Sequence, residues 1–405
     1  MARSPFSRFS LFRKPKMTNR FTLGMAKATR LTQSGKLAEA SDLILKVLTG
    51  GSTASPKANP EPKAKTKADV IGGTCTRLAS KAAKSEPAAP KHAKIGSSLG
   101  ETLRRIAAGG MPAKGPVTGG RVAQPAGATF AMHRYTGKHG NRDYWLYTPA
   151  KPSTEPRPLV VMLHGCTQSP EDFAKGTGMN AVAEEFGILV AYPAQPAGAN
   201  ANKCWNWFRT EDQGRDVGEP AILAGITKSV LKKAGVDPAR VYVAGLSAGG
   251  AAAAVLAQAY PDVFAAAGVH SGLPVGAARD VPQAFMAMRN GAMGSRVTHP
   301  IPTIVFHGDA DTTVNPRNGS AVITQALAPY PKLKTTTERG SKVKGRRYAR
   351  TTHQTEDGQV MCEFWEVDGS GHAWSGGKSS GSYTDPRGPD ASRAMLRFFL
   401  QHRQG

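Results

Sequence analysis

Short apolar segments alternate with helix-like segments from about residue 129 to the end of the chain. Two strand-like segments, FAMHRYTG and NRDYWLYTPA, come first, and apolar segments such as PLVVMLHG, ILVAYP, RVYVAG and PTIVFHG follow. Between them lie helix-like segments such as EPAILAGITKSVLKKAG. This alternation is typical of a mostly parallel sheet with helices on both faces. The sequence therefore predicts an α/β fold with its ligand site at the carboxyl ends of the strands.

The first 128 residues differ from the rest in composition. They hold 23 Lys and Arg against 6 Asp and Glu, whereas the remaining 277 residues hold 30 against 23. Apolar spacing over residues 23–49 predicts a small helical hairpin. Residues 50–96 are rich in Ala, Lys, Pro, Ser and Thr, which is typical of a linker. We therefore expect a basic, partly helical and partly disordered extension over residues 1–128 and one catalytic domain over residues 129–405.

The net charge of +24 comes mostly from this extension. Such a segment is attracted to polyanionic surfaces, although a solvated arm is the simpler interpretation. Its charges are not interleaved with aromatic residues, so no specific nucleic-acid binding is expected. No apolar stretch approaches the ~20 residues of a membrane span. The basic N-terminus also lacks the continuous apolar core of a secretory signal, and the compartment stays open.

The segment Gly245-Leu246-Ser247-Ala248-Gly249 fits the pattern G-x-S-x-G between a predicted strand and a predicted helix. A sharp strand-to-helix turn exposes such a serine as a nucleophile, and the flanking glycines let the backbones pass closely. The alternative is a tight turn that only needs small residues.

A serine nucleophile needs a base and an acid, which in this fold class follow it in the order Ser, acid, His. Asp309 and Asp311 lie just after the strand PTIVFHG, and either can serve as the acid or form a turn. Of the downstream histidines, His402 is expected on a surface helix and His353 within a polar hairpin. His372 lies in a glycine-rich loop after a strand, which makes it the predicted base.

The oxyanion formed on ester attack needs two N–H donors. We expect one from Ala248 at the start of the helix and one from Cys166 in the loop MLHGCTQ. His164 and Gly165 are expected to support that loop. No second ligand stands beside His164, and no nucleotide-binding glycine pattern is present in the right context. We therefore expect neither a metal nor a cofactor.

Six motifs in order resemble the poly(3-hydroxybutyrate) depolymerase family of esterases, which have the α/β-hydrolase fold. The motifs are PLVVMLHGCTQSPEDFA, CWNWF, RVYVAGLSAGGAAAAVLA, GVHSGLP, PTIVFHGDADTTVNPRN and GHAWSGG. The resemblance implies ester hydrolysis through an acyl-enzyme. It implies Ser247 as nucleophile, Asp311 rather than Asp309 as acid, His372 as base, and Cys166 and Ala248 as the oxyanion donors.

The resemblance also implies substrate contacts for Trp205, Trp207 and Trp374, with core packing as an equal alternative for the first two. It brings Cys166 close to Cys204, which makes a disulfide plausible.

The expected substrate is poly(3-hydroxybutyrate) or its oligomers. The alternatives are feruloyl, acetylxylan or general short-chain esters, or a protein that mainly binds granules through its basic extension. Extracellular members carry a signal peptide and often further binding modules. Neither is recognised here, so an intracellular role on polyester granules is a second expectation.

Overall fold

The computed structural model describes residue 122, residues 124–330 and residues 332–405. The predicted helical hairpin and linker of the basic extension lie outside these residues. The predicted boundary after residue 128 and the surface binding proposed for the extension therefore stay predictions.

A ten-stranded sheet forms the centre of the described part. Its strands, in chain order, are β1 (Thr129–Gly137), β2 (Gly140–Thr148), β3 (Arg157–Leu163), β4 (Leu189–Pro193), β5 (Val236–Leu246), β6 (Ala266–His270), β7 (Thr303–Gly308), β8 (Lys334–Ser341), β9 (Arg347–Gln354) and β10 (Val360–Val367). They are arranged in the order β1-β2-β4-β3-β5-β6-β7-β10-β9-β8. Two short strands, β11 (Trp374–Ser375) and β12 (Thr384–Asp385), form a separate pair.

The six central strands, β4, β3, β5, β6, β7 and β10, run parallel to one another. The outer strands are antiparallel, with β1 and β2 at one edge and β9 and β8 at the other. The strand β3 leads to β4 on one side, and the chain then returns to β5 on the other side. Ligands bind beyond the carboxyl ends of strands where the order reverses in this way.

Seven α-helices lie in the described part, besides a short 3-10 helix over Thr210–Asp212. They are α1 (Pro170–Thr177), α2 (Met179–Phe186), α3 (Gly218–Lys233), α4 (Ala248–Ala259), α5 (Val281–Asn290), α6 (Arg317–Leu327) and α7 (Ala391–Phe399). The predicted α/β-hydrolase architecture, a mostly parallel sheet with helices on both faces, is confirmed.

The core has two layers because successive side chains of a strand point to opposite faces of the sheet. In β3, Val160 and Met162 pack in the cluster that includes Met395 and Phe398 of α7. The alternate residue Val161 packs in the cluster that includes Ile226 of α3. Each apolar strand is therefore buried on both sides, which explains its continuous apolar sequence.

Six of the strands and α-helices were not anticipated from the sequence: α1, α5, α6, β8, β11 and β12. The helix α1 begins after Ser169, whose hydroxyl accepts a hydrogen bond from the Asp172 N–H, and Pro170 occupies its first turn. This capping pattern was a readable signal. The strand β8 carries KTTTERGS and is almost wholly exposed, so no apolar alternation marks it.

His402 was expected on a surface helix, and this expectation is wrong. The residue lies beyond α7 and is buried, with its ring 4.6 Å from that of Phe398. The chain folds back after the helix, because Tyr242 donates from its hydroxyl to the His402 carbonyl and Gln404 donates from its backbone to Ala239. No helix of the described residues combines the length and apolar character that crossing a bilayer requires.

Candidate active site

Ser247 lies at the junction of β5 and α4, in the predicted strand-to-helix turn. Its backbone has φ 59° and ψ −121°, a combination that L-residues rarely adopt and that costs on the order of 1–3 kcal/mol. The Ser247 N–H donates to the His270 carbonyl at 2.8 Å, which ties the turn to the neighbouring strand β6. The serine is therefore held in a strained turn at the carboxyl edge of the sheet.

The glycines around Ser247 are required by close backbone contacts. A Cβ on Gly245 would lie 2.3 Å from the Gly249 carbonyl carbon, and one on Gly249 would lie 2.0 Å from the Leu163 carbonyl oxygen. Real Cβ atoms do not approach backbone this closely. The tight turn predicted from the sequence is therefore present, and Ser247 within it is 9% exposed.

Asp311 and His372 form a close pair. The His372 Nδ1 lies 2.7 Å from Asp311 Oδ2, on a carboxylate that is fully buried. The other oxygen, Oδ1, accepts from the N–H groups of Thr313 and Val314 at 2.9 Å each. Since the carboxylate can only accept, His372 carries a proton on Nδ1, and in the neutral ring Nε2 holds the free lone pair.

The Asp311 carboxylate stays ionised. Burial would raise its pKa, but the electrostatic attraction of His372, its hydrogen bond and the nearby His307 ring outweigh burial and hold the pKa well below its ordinary value. An ionised carboxylate can orient the imidazole and stabilise an imidazolium.

Asp309, the alternative acid, is exposed and accepts a hydrogen bond from the Gly369 N–H at 2.6 Å. It therefore connects the loop after β7 to the loop that carries His372, without contacting the imidazole. His353, on β9, lies 3.0 Å from the Thr335 hydroxyl. Of the three histidines that follow Ser247 in the chain and were weighed as the base, His372 is the one that is hydrogen-bonded to the buried Asp311 carboxylate.

The loop after β3 lies directly beside Ser247. A Cβ on Gly165 would be 3.7 Å from the Ser247 Cβ. Within the described residues, the N–H groups of Cys166 and Ala248 donate to no protein acceptor. Two free donors, one at a helix start and one in the adjoining loop, are what an oxyanion needs.

Hydrogen bonds hold the loop after β3 in place. His164 Nε2 accepts from the Gln195 N–H at 3.1 Å, so its Nδ1 carries the proton and donates to the Gly165 carbonyl at 2.7 Å. Burial lowers the pKa of His164 to about 4, which keeps the ring neutral. The Gly165 N–H donates to Gln168 Oε1 at 2.9 Å. The geometry is the one expected of loop-supporting residues.

A disulfide joins Cys166 to Cys204. It connects the loop after β3 to the segment Cys204–Trp207, whose Asn206 is bonded in turn to the buried carboxylate of Glu219. The Trp205 Nε1 donates to the His164 carbonyl at 3.0 Å. The Cys166 N–H is therefore held in place by both covalent and polar contacts.

The three tryptophans do not share one environment. Trp205 and Trp374 are fully buried, and both indole N–H groups are bonded within the protein. Both rings are packed inside the protein, which favours the core-packing alternative for Trp205, and substrate contact by either residue stays a prediction. Trp207 is also buried, but it belongs to the same apolar cluster as Ala248 and Val314, next to the serine and the acid.

Two further histidines lie beneath the site and were not assigned from the sequence. His307 Nε2 donates to the Val314 carbonyl at 2.9 Å and lies 3.5 Å from Asp311 Oδ2. His270 Nε2 accepts from the Ser375 N–H at 2.9 Å, and burial, with His307 and His372 nearby, keeps its pKa well below the ordinary value. His307 lies on β7 and His270 at the end of β6, in apolar strand segments where no local pattern marks a polar role.

The described residues contain no group of three or more His, Cys, Asp or Glu side chains that could hold a metal ion.

Comparisons with known proteins agree with this geometry. Residues 142–343 match the family model described as Esterase PHB depolymerase. The chain is 34% identical to poly(3-hydroxyalkanoate) depolymerase C of Paucimonas lemoignei, over 53% of this chain and 54% of that protein. It is 30% identical to poly(3-hydroxybutyrate) depolymerase of Ralstonia pickettii, over 64% and 57%. The chain thus spans little more than half the length of these two relatives.

The chain is also 29% identical to feruloyl esterase B of Thermothelomyces thermophilus, over 46% of this chain and 69% of that protein. Among solved structures, acetyl xylan esterase from Aspergillus awamori superposes with a TM-score of 0.51 at 20% identity, covering 67% of this chain and 99% of that one. That likeness establishes the fold alone. The family match over residues 142–343 and the two depolymerase identities lead to one conclusion: this part of the chain belongs to the Esterase PHB depolymerase family.

Proposed function

We propose that this chain is a serine esterase that hydrolyses carboxylic esters through an acyl-enzyme. The observation that carries the proposal is the hydrogen bond between His372 Nδ1 and the buried Asp311, at the sheet edge that also holds Ser247 in a strained turn. This pairing leaves His372 Nε2 as the base for a neighbouring hydroxyl.

In the first half of the reaction, the Ser247 oxygen attacks the ester carbonyl carbon while His372 Nε2 takes the hydroxyl proton. The ester C=O bond opens to an oxyanion. When the tetrahedral intermediate collapses, the bond to the alcohol oxygen breaks and His372 returns its proton to that oxygen. The products are a free alcohol and an acyl-Ser247 ester.

In the second half, a water molecule gives its proton to His372 and attacks the acyl carbon. Collapse releases the carboxylic acid and returns the proton to Ser247. Asp311 remains ionised throughout and stabilises the imidazolium, which its low pKa supports.

The N–H groups of Cys166 and Ala248 serve as the oxyanion donors in both halves. Their lack of any protein acceptor in the described part of the chain supports this role. Losing one such donor typically costs about 10²–10³ in kcat. No hydrogen bond joins the Ser247 hydroxyl to His372 within the described residues, and such bonds often form only when substrate is bound.

We propose a poly(3-hydroxyalkanoate), or its soluble oligomers, as the substrate. The family description and the two depolymerases at 34% and 30% identity support this choice. Feruloyl esters are the second candidate, supported by the feruloyl esterase at 29% identity.

A substrate panel on the pure full-length chain tests the assignment. We expect release of 3-hydroxybutyrate from poly(3-hydroxybutyrate) and its oligomers to exceed release of ferulate from feruloylated xylan. Ser247→Ala, which removes the nucleophile with little change in volume, should abolish both activities and serves as the background control. Faster ferulate release would transfer the assignment to the second candidate, and undiminished hydrolysis by Ser247→Ala would overturn the serine mechanism.

A further inference from the structure

The helix α5 carries an apolar surface that the described part of the chain does not cover. It lies in the connection from β6 to β7, which leaves the sheet at the carboxyl end of β6, where Ser247 is bonded to His270. Its inner side is small and buried, and consists of Ala284 and Ala287.

The opposite side carries larger apolar side chains. At 100° per residue, Val281, Phe285 and Met286 fall within one arc of about 140°, which faces away from the two alanines. Val281 is 48% exposed, Phe285 38% and Met286 59%. We call these three residues the outer α5 face. Arg289 lies on the same arc, near the C-terminal end of the helix.

This distribution is the reverse of an ordinary surface helix, which buries its large apolar side chains. A single exposed apolar residue needs no explanation, but several on one face mark a surface that contacts something apolar. The outer α5 face therefore calls for a ligand or partner.

The helix is fixed to the candidate active site. Ala284 and Ala287 belong to one apolar cluster with Ala248, which follows the serine, and Val314, which follows the acid. Three hydrogen bonds connect the end of α5 to the segment after Asp311, and one of them runs from Asn315 Nδ2 to the Arg289 carbonyl at 3.0 Å. Asn315 donates from its backbone to the Met288 carbonyl at 2.7 Å, and Asn318 Nδ2 donates to the Ala287 carbonyl at 2.9 Å.

We propose that the outer α5 face is a docking surface for a segment of a water-insoluble polyester chain while a neighbouring ester group reacts at Ser247. This rests on the esterase function proposed above. An aliphatic polyester has no charge and no hydrogen-bond donor along its chain. Its recognition outside the reacting ester therefore depends on apolar contact, which three exposed alkyl and aromatic side chains supply.

The test uses two double variants that remove comparable exposed side chains. Phe285→Ser/Met286→Ser alters the outer α5 face. Met132→Ser/Phe186→Ser is the matched control, because Met132 is 57% and Phe186 44% exposed, on β1 and α2. Adsorption of each full-length variant to poly(3-hydroxybutyrate) particles is measured in about 0.5 M salt, which screens the basic extension. Hydrolysis of soluble p-nitrophenyl butanoate is measured in parallel.

We expect the α5 variant to keep kcat/KM on the soluble ester within about twofold of the wild type. Its adsorption constant should fall by about tenfold or more, since each lost side chain removes buried apolar area. The control variant should match the wild type in both assays. Equal adsorption by the two variants would overturn the docking surface and leave the esterase intact. Absence of soluble-ester hydrolysis in the wild type would instead overturn the function on which the inference rests.

Discussion

The loop after β3 and the connection that carries α5 leave the same edge of the sheet but are built in different ways. The loop is held by the Cys166–Cys204 disulfide and by the bonded ring of His164. The α5 connection is fixed only on its inner side and presents apolar groups outward. An oxyanion donor has to be placed to within a fraction of an ångström, whereas an apolar contact with a polymer tolerates many positions.

Substitutions in these two regions should therefore have different effects on catalysis and on polymer binding. Changes in the bonded groups at the sheet edge should lower kcat on every ester. Changes on the outer α5 face should spare soluble esters and affect only adsorption to the polymer.

The largest effect among the supporting groups is expected from Asp311→Asn. An amide in place of the carboxylate favours the wrong tautomer of His372 and cannot stabilise the imidazolium. We expect kcat/KM on p-nitrophenyl butanoate to fall by about 10³–10⁴. Asp309→Asn is the matched control from the same loop and should stay within about tenfold of the wild type. Equal losses of kcat/KM in the two variants would show that activity depends on the loop as a whole and not on the pair of Asp311 and His372.

A smaller effect is expected from Cys166→Ser/Cys204→Ser, which keeps the Cys166 N–H but removes the covalent connection. The sequence separation of 38 residues corresponds to about 3–4 kcal/mol of unfolding free energy. Because the loop also carries an oxyanion donor, kcat should fall more than KM rises. Urea unfolding and steady-state kinetics measure the two effects. A variant with lower stability but unchanged kcat would show that the polar contacts alone position the loop.

The smallest effect concerns pH. Burial lowers the pKa of His402 to about 4, so the folded protein holds the ring neutral while the unfolded chain protonates it near pH 6.5. The stability that follows is fully present above about pH 6.5 and is lost as the pH falls toward 4. The backbone of Val360 and the charge of Glu363 oppose this shift.

Urea unfolding at pH 7 and at pH 4.5 measures this loss. His402 alone should account for about 2.5 kcal/mol of the unfolding free energy that is lost between these two pH values. His402→Phe should lose correspondingly less stability on acidification, whereas His133→Phe, at an exposed position on β1, should behave as the wild type. The outer α5 face has no titratable group besides Arg289, so Phe285→Ser/Met286→Ser should show the wild-type pH dependence. Identical acid sensitivity in His402→Phe and the wild type would contradict a buried neutral ring.

The sequence was informative wherever a local pattern has one physical cause. The apolar strands predicted the parallel centre of the sheet, and G-x-S-x-G predicted the strained turn at Ser247. The order of residues together with the family resemblance indicated Asp311 and His372, which the structure finds within hydrogen-bond distance.

The sequence was less informative where long-range packing decides. The helix α5 has its large side chains on the outside, so its apolar pattern does not mark a buried face. Trp205 and Trp374 resemble groove residues in sequence, yet the fold surrounds both rings. The burial of His402 depends on the chain turning back toward Ala239, a contact 165 residues away in sequence from Gln404.

Covalent labelling with a p-nitrophenyl alkylphosphonate tests the central claim most directly, because this reagent phosphonylates an activated serine and mimics the tetrahedral intermediate. Peptide mass spectrometry of the pure full-length protein locates the adduct. We predict one adduct per chain on Ser247, formed with release of one equivalent of p-nitrophenol and slowed strongly by Asp311→Asn. An adduct on another residue, or hydrolysis that continues after Ser247 is fully labelled, would contradict the account.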